Sequence, residues 1–175
     1  MTIENSNPQI SLLKWMLEDV RTETIKGVNH LTKGQLFQPP VKDEFPIGAY
    51  LMHIAEVDIS WLEIISGIEQ SDELKRKSYF DKWFDSRDNY DPPKEAPEIK
   101  DYFDIMERTR KNFLDYVSTL DDSQLEDEVI LKRKKGDVKF PKKWIIYHIL
   151  EHEAHTRGQM FMLIRKAGWN KIRQN

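Results

Sequence analysis

The sequence predicts an all-α protein, a bundle of four long amphipathic helices, on three observations. Four long stretches place apolar side chains at three- and four-residue intervals, the spacing of a one-faced helix. Prolines, glycines and turn residues separate these stretches. The only alternating pattern is a short hairpin, so the helices must bury their apolar faces against one another. The 175 residues suit one domain spanning 1–175, long enough for a single substantial core.

The first helix is expected from Gln9 to Lys33, where Leu13, Met16, Leu17, Val20, Val28 and Leu31 share a face, with Pro8 before it and Gly34 closing it. The next residues, QLFQPPVKDEF, hold two adjacent prolines and read as a loop. A second helix runs from Pro46 to Ile68, with Tyr50, Ile54, Val57, Trp61, Ile64, Ile65 and Ile68 on one arc. His53 lies at the edge of that arc, and Glu56 and Ser60 fall on its polar side.

The connection from Ser71 to Pro97 is long, aromatic and rich in turn residues, with a short helix expected around Tyr79 to Phe84. Its length frees the helices it joins from being antiparallel neighbours, and its aromatics can cap one end of the core. Trp61, Trp83 and Phe84 are candidates for lining a pocket there, or plain core. The third helix, Pro97 to Leu120, repeats Ile99, Tyr102, Phe103, Met106, Phe113, Val117 and Leu120. Val129 and Leu131, the turn Lys135-Gly136-Asp137, and Val138 with Phe140 then predict an exposed hairpin before the fourth helix.

The fourth helix, within Phe140 to Gly168, carries three of the five histidines. Pro141 suits its first turn and Gly168 the position past its end. Stepping 100° per residue puts His148, His152, His155, Thr156 and Gln159 on the arc of Ile145, Ile149 and Leu163, and Glu153 and Arg157 on the other. Inward imidazoles need hydrogen-bond partners or a ligand. Side chains three or four apart on a helix sit roughly 5–6 Å apart at Cβ, and zinc binds histidine nitrogen at about 2.0–2.1 Å. His148 with His152, or His152 with His155, could therefore share a cation, and His53 could complete a three-ligand site with an open position. Equally, each histidine could be a neutral core residue bonded to Glu151, Glu153, Tyr147 or Thr156.

The composition narrows the rest. A formal charge of −3 gives no reason to expect nucleic acid or an anionic membrane as partner. Zero cysteines exclude disulfides, thiolate nucleophiles and Cys-ligated zinc, so any metal must use His, Asp or Glu. The N-terminal MTIENSNPQISLLKWML lacks the charge and apolar run of a signal peptide, and there is no run of 18 apolar residues, so the expected location is cytoplasmic. The basic run LKRKKGDVKFPKK reads as a solvated hairpin offset by the preceding acids, and His30 as a surface residue.

At HxxxEHEAHTRGQ, with PIGAYLMHIAEVDISWL in the second helix, the sequence resembles the DinB-like family of four-helix-bundle metalloenzymes, the damage-inducible family and not the like-named polymerase. The family pattern is a histidine midway along helix two and a histidine pair four apart in helix four that runs into Arg-Gly-Gln. His53, His152 and Arg157-Gly158-Gln159 match it. The resemblance implies an up-down-down-up bundle, a divalent metal, nickel or zinc, and frequently a homodimer. It also implies a thiol-dependent transferase acting on a small substrate with a low-molecular-weight thiol such as bacillithiol or mycothiol; the rival is a non-catalytic bundle with a remnant metal site, used for dimerisation or stress-related binding.

One position departs. The second helix-four ligand should stand where this chain has Thr156, a poor ligand for zinc or nickel. Three repairs are open: His155 or His148 substitutes, Glu151 pairs with His155, or the site holds metal weakly or not at all. The expected set is His53, His152 and His155, with His148 next.

Overall fold

The computed structural model of the protein describes residues 7–84 and 89–170. Helix α1 spans Pro8–Val28, with proline in its first turn. It stops short of the expected Lys33 because Thr32 starts a second, short helix, α2, Lys33–Phe37. The Thr32 hydroxyl accepts from the Gln35 amide and the Gln35 side chain accepts from the Thr32 amide, a reciprocal capping box. Gly34 therefore lies inside α2 rather than ending α1.

Helix α3, Ile47–Ser66, begins after Pro46 and ends at Gly67, whose φ of 70° suits a residue without Cβ. Within the following connection the short helix, α4, is Asp72–Lys77, capped by the Ser71 hydroxyl. It falls earlier than expected because the 79–84 stretch contains Tyr79 and Asp81 at φ 54°, which breaks a helix into tight turns. Helix α5, Ile99–Val117, opens on a Glu98–Asp101 capping box. A 3-10 turn, Asp122–Glu126, leads to strands β1, Glu128–Leu131, and β2, Val138–Pro141. They pair antiparallel with Val129 opposite Phe140 and Leu131 opposite Val138, as the alternation predicts. Helix α6, Lys142–Lys166, closes the fold, with Gly168 at φ 72°.

The four long helices form an up-down-down-up bundle. α1 and α6 run parallel, since Arg21 meets Glu153 and, further along, Gly27 abuts Phe161. α3 and α5 are also parallel: Gly48 touches Tyr102, Asp58 binds Arg110, and the Tyr116 hydroxyl donates to the Ile65 carbonyl at 2.9 Å. α3 lies antiparallel to α6, with His53 beside His152 and Trp61 beside Trp144. Among the described residues, no helix is long and apolar enough to cross a membrane.

Apolar side chains fill the bundle in two halves, one around Leu36, Ile47, Met106 and Met160, the other around Leu17, Leu62, Phe113 and Ile149. Between them lies an ionic layer with one charged residue from each long helix: Arg21, Asp58, Arg110 and Glu153. Glu153 accepts from Arg21 Nε at 2.9 Å and Arg110 Nη2 at 2.7 Å. Asp58 accepts from Arg21 Nη2 and Arg110 Nη2, both at 2.9 Å, and from the Thr109 hydroxyl at 3.2 Å. Burial alone would raise the Glu153 carboxyl, but Arg21 and Arg110 outweigh it and hold it below the ordinary carboxylate range. The expectation that Glu153 faces solvent is thus corrected: its side chain is fully buried because two guanidiniums neutralise it there.

Candidate metal centre

The buried arc of α6 runs through Ile145, Ile149, Glu153, Thr156, Met160 and Leu163. The histidines ride the edge of that arc rather than its middle. His148 and His152 are half-buried, whereas His155 and Gln159 are exposed, so the inward reading holds in part. His155 is one residue before the buried Thr156, and that step of about 100° carries it out to solvent.

His53, midway along α3, and His152 are brought together. Their ring centroids stand 5.0 Å apart at an interplanar angle of 61°. The Phe84 ring stacks on His53 at 4.3 Å, and His53 Nδ1 lies 3.4 Å from Glu56 Oε2. Glu56 is itself buried, and its other oxygen accepts from the Asp81 amide at 2.6 Å. Burial raises the Glu56 carboxyl above its ordinary range, opposed by the bonds from His53 and Asp81.

His152 is the least solvated imidazole of the group. Its Nδ1 is buried without a hydrogen-bond partner among the described residues. Burial, reinforced by the neighbouring His53, His148 and His155, pulls its pKa down to about 4, so the ring is neutral at physiological pH. His148 turns to the hairpin end: it stacks on Trp144 at 4.8 Å, meets Trp61 edge-on at 5.2 Å, and stands 6.0 Å from His152.

An aromatic wall surrounds these rings. It runs from Phe45 and Tyr50 through Phe84 to His53 and His152, and on through His148 and Trp144 to Phe140. Trp61 and Phe84 flank the histidines, while Trp83 is plain core. Glu56, on the polar side of the helix by sequence, is buried because it accepts the Asp81 amide and faces His53, a link that periodicity does not reveal. The available signal was its spacing of three residues from His53, which puts both on one helix face. Arg157 ties α6 to α1 by donating to the Val20 carbonyl at 3.3 Å. His30, expected at the surface, is half-buried, and its Nε2 lies 2.9 Å from the Trp169 carbonyl oxygen.

As a metal centre the donor set fits at two positions. The His53 and His152 rings meet edge to face, and in the Nε2–H tautomer the orphaned Nδ1 of His152 offers a lone pair to a cation. Thr156 is buried at the third expected position, and among the described residues no three His, Asp or Glu side chains gather closely enough to hold an ion.

Comparison with known proteins accords with this fold. A conserved protein from Enterococcus faecalis superposes with a TM-score of 0.71 at 13% identity, covering 93% of this chain and 98% of the other. YfiT from Bacillus subtilis, described as a probable metal-dependent hydrolase with an unusual four-helix bundle topology, gives 0.65 at 16% identity, covering 97% and 94%. A DinB-like protein from Bacillus cereus gives 0.62 at 20% identity, covering 87% and 91%. No curated protein matches the sequence. The family model of the DinB superfamily matches residues 16–160, and the chain belongs to that superfamily.

Proposed function

We propose that this chain is a divalent-metal-dependent enzyme acting on a small substrate with an external thiol, and that His53 and His152 hold the ion. The observation that carries this reading is the buried, unpartnered Nδ1 of His152 beside His53: a neutral imidazole has been desolvated without receiving a hydrogen bond, a cost that a coordinated cation offsets. Zinc or nickel bound here would lower the pKa of a coordinated thiol or water. The remaining chemistry is that of the chain. The rings of Phe84, Trp61 and Trp144 restrict water around the imidazoles. His155, exposed three residues beyond His152, is our candidate for the third protein ligand, with His148 as its substitute; among the described residues neither is gathered with the pair, so either would have to turn inward to reach the ion. The absence of cysteine from the chain makes a cosubstrate the source of thiol. The description of YfiT as a probable metal-dependent hydrolase supports the metal, and makes water the competing nucleophile.

One observation favours a second reading, a non-catalytic bundle with a remnant site: Thr156 is buried where a ligand is expected. Metal analysis with zinc titration of the purified protein separates the two. The enzyme reading expects one ion per chain, lost in His152→Ala and weakened in His155→Ala. Sub-stoichiometric metal that His152→Ala does not reduce further overturns it.

A further inference from the structure

We propose that Glu56 is a positioning residue that holds His53 in a single tautomer, with its proton on Nδ1 and a bare lone pair on Nε2. The two oxygens of this buried carboxylate have divided tasks. Oε1 accepts the Asp81 amide at 2.6 Å and Oε2 faces His53 Nδ1 at 3.4 Å. With Oε1 already accepting the Asp81 amide, Glu56 in its ionised form offers Oε2 only as an acceptor, so Nδ1 donates, and a neutral imidazole that donates from Nδ1 has Nε2 free. The Phe84 ring stacked on His53 limits rotation that would exchange the two nitrogens.

The same carboxylate fastens the turn that carries Phe84. Asp81 sits at φ 54°, and the Lys82 amide donates to the Tyr79 carbonyl at 2.8 Å, so the turn presents the Asp81 N–H to α3. One side chain thus sets the proton on the site histidine and seats the aromatic ring over it. Its consequence for metal rests on the reading of His53 as a ligand, because a bare Nε2 is what coordination requires and carboxylate-oriented histidines are the stronger ligands.

Glu56→Gln distinguishes positioning from a purely structural tie. The Asp81 N–H still needs an acceptor, which only the amide oxygen of the substituted side chain supplies. Its NH2 group then faces Nδ1, so Nδ1 becomes the acceptor and the proton moves to Nε2, while the turn survives. Ring-nitrogen NMR of metal-free, histidine-labelled protein at neutral pH reads the tautomer directly, with His53 assigned by its loss in His53→Gln. The expected result is an Nδ1–H tautomer in the native protein and exchange of the two nitrogen positions in Glu56→Gln. Glu56→Ala should abolish the bias toward Nδ1–H.

An Nε2–H tautomer in the native protein, or no change in Glu56→Gln with the fold intact by amide dispersion, overturns the proposal. In parallel, zinc affinity should fall about 10- to 100-fold in Glu56→Gln. Absence of zinc binding in the native protein sinks the metal reading alone, since the tautomer is measured without metal.

Discussion

Replacing Glu153 by leucine tests the ionic layer directly. The carboxylate is fully buried and accepts from Arg21 through both Nε and Nη2 and from Arg110 at 2.7 Å, so its removal leaves two guanidiniums with Asp58 as their one remaining carboxylate partner in the layer. Losing one partner from a buried ion pair costs about 3–5 kcal/mol, because the remaining charge keeps its desolvation penalty. For a chain of this size that corresponds to a Tm lower by roughly 6–20 °C, measured by calorimetry or circular dichroism. The control is Glu151→Leu, two residues away with half its side chain exposed, which should change stability by no more than about 0.5 kcal/mol. Helical periodicity alone would assign both glutamates to solvent. Equal and small effects of the two substitutions would refute the buried layer and the arrangement of helices that depends on it.

Further outcomes are expected elsewhere in the molecule. The pKa of His152 is depressed from 6.5 to about 4 on folding, so the unfolded chain binds the extra proton first; stability of the metal-free protein should fall as pH drops from about 6.5 to about 4, and His152→Gln should flatten that slope in urea titrations. Glu153 is depressed too, so its contribution persists above 4.5 and is lost on acidification below that, a window that Glu153→Gln should remove. Gly48→Ala should destabilise by about 1–3 kcal/mol by thermal melting, since a Cβ there would sit 2.8 Å from the Leu36 carbonyl oxygen, backbone that cannot swing away. Gly158→Ala should raise stability by about 0.5–1 kcal/mol, because nothing lies within 4 Å of the added methyl and the helix interior prefers alanine.

Periodicity located the four long helices and the hairpin because their apolar residues recur at regular intervals, and proline, serine or glycine marks most of their ends. It failed at Thr32, where a capping box opened a new helix inside the expected first one. It failed again at Glu153, because an averaged pattern treats every charge as solvent-facing, whereas Arg21 and Glu153 neutralise each other from 132 positions apart. Compatibility of that kind exists only once the helices are in register. At the site, the spacing of His148, His152 and His155 put all three on one stripe. The true buried arc is centred closer to Glu153, so a rotation of less than one residue step decided which histidine met His53 and which met water.

The parallel course of α3 and α5 has a consequence for how such a protein can vary. After α3 ends at Ser66 the chain must travel back along the bundle, on the order of 30 Å for a 20-residue helix, before α5 can start in the same direction. That return journey passes over the middle of α3, and there Asp81 and Phe84 alight on Glu56 and His53. The cover of the histidines is therefore a by-product of running α3 and α5 in the same direction. Residues lengthened, shortened or exchanged along the journey can reshape access to His53 and His152 while the four helices and their ionic clamp stay as they are.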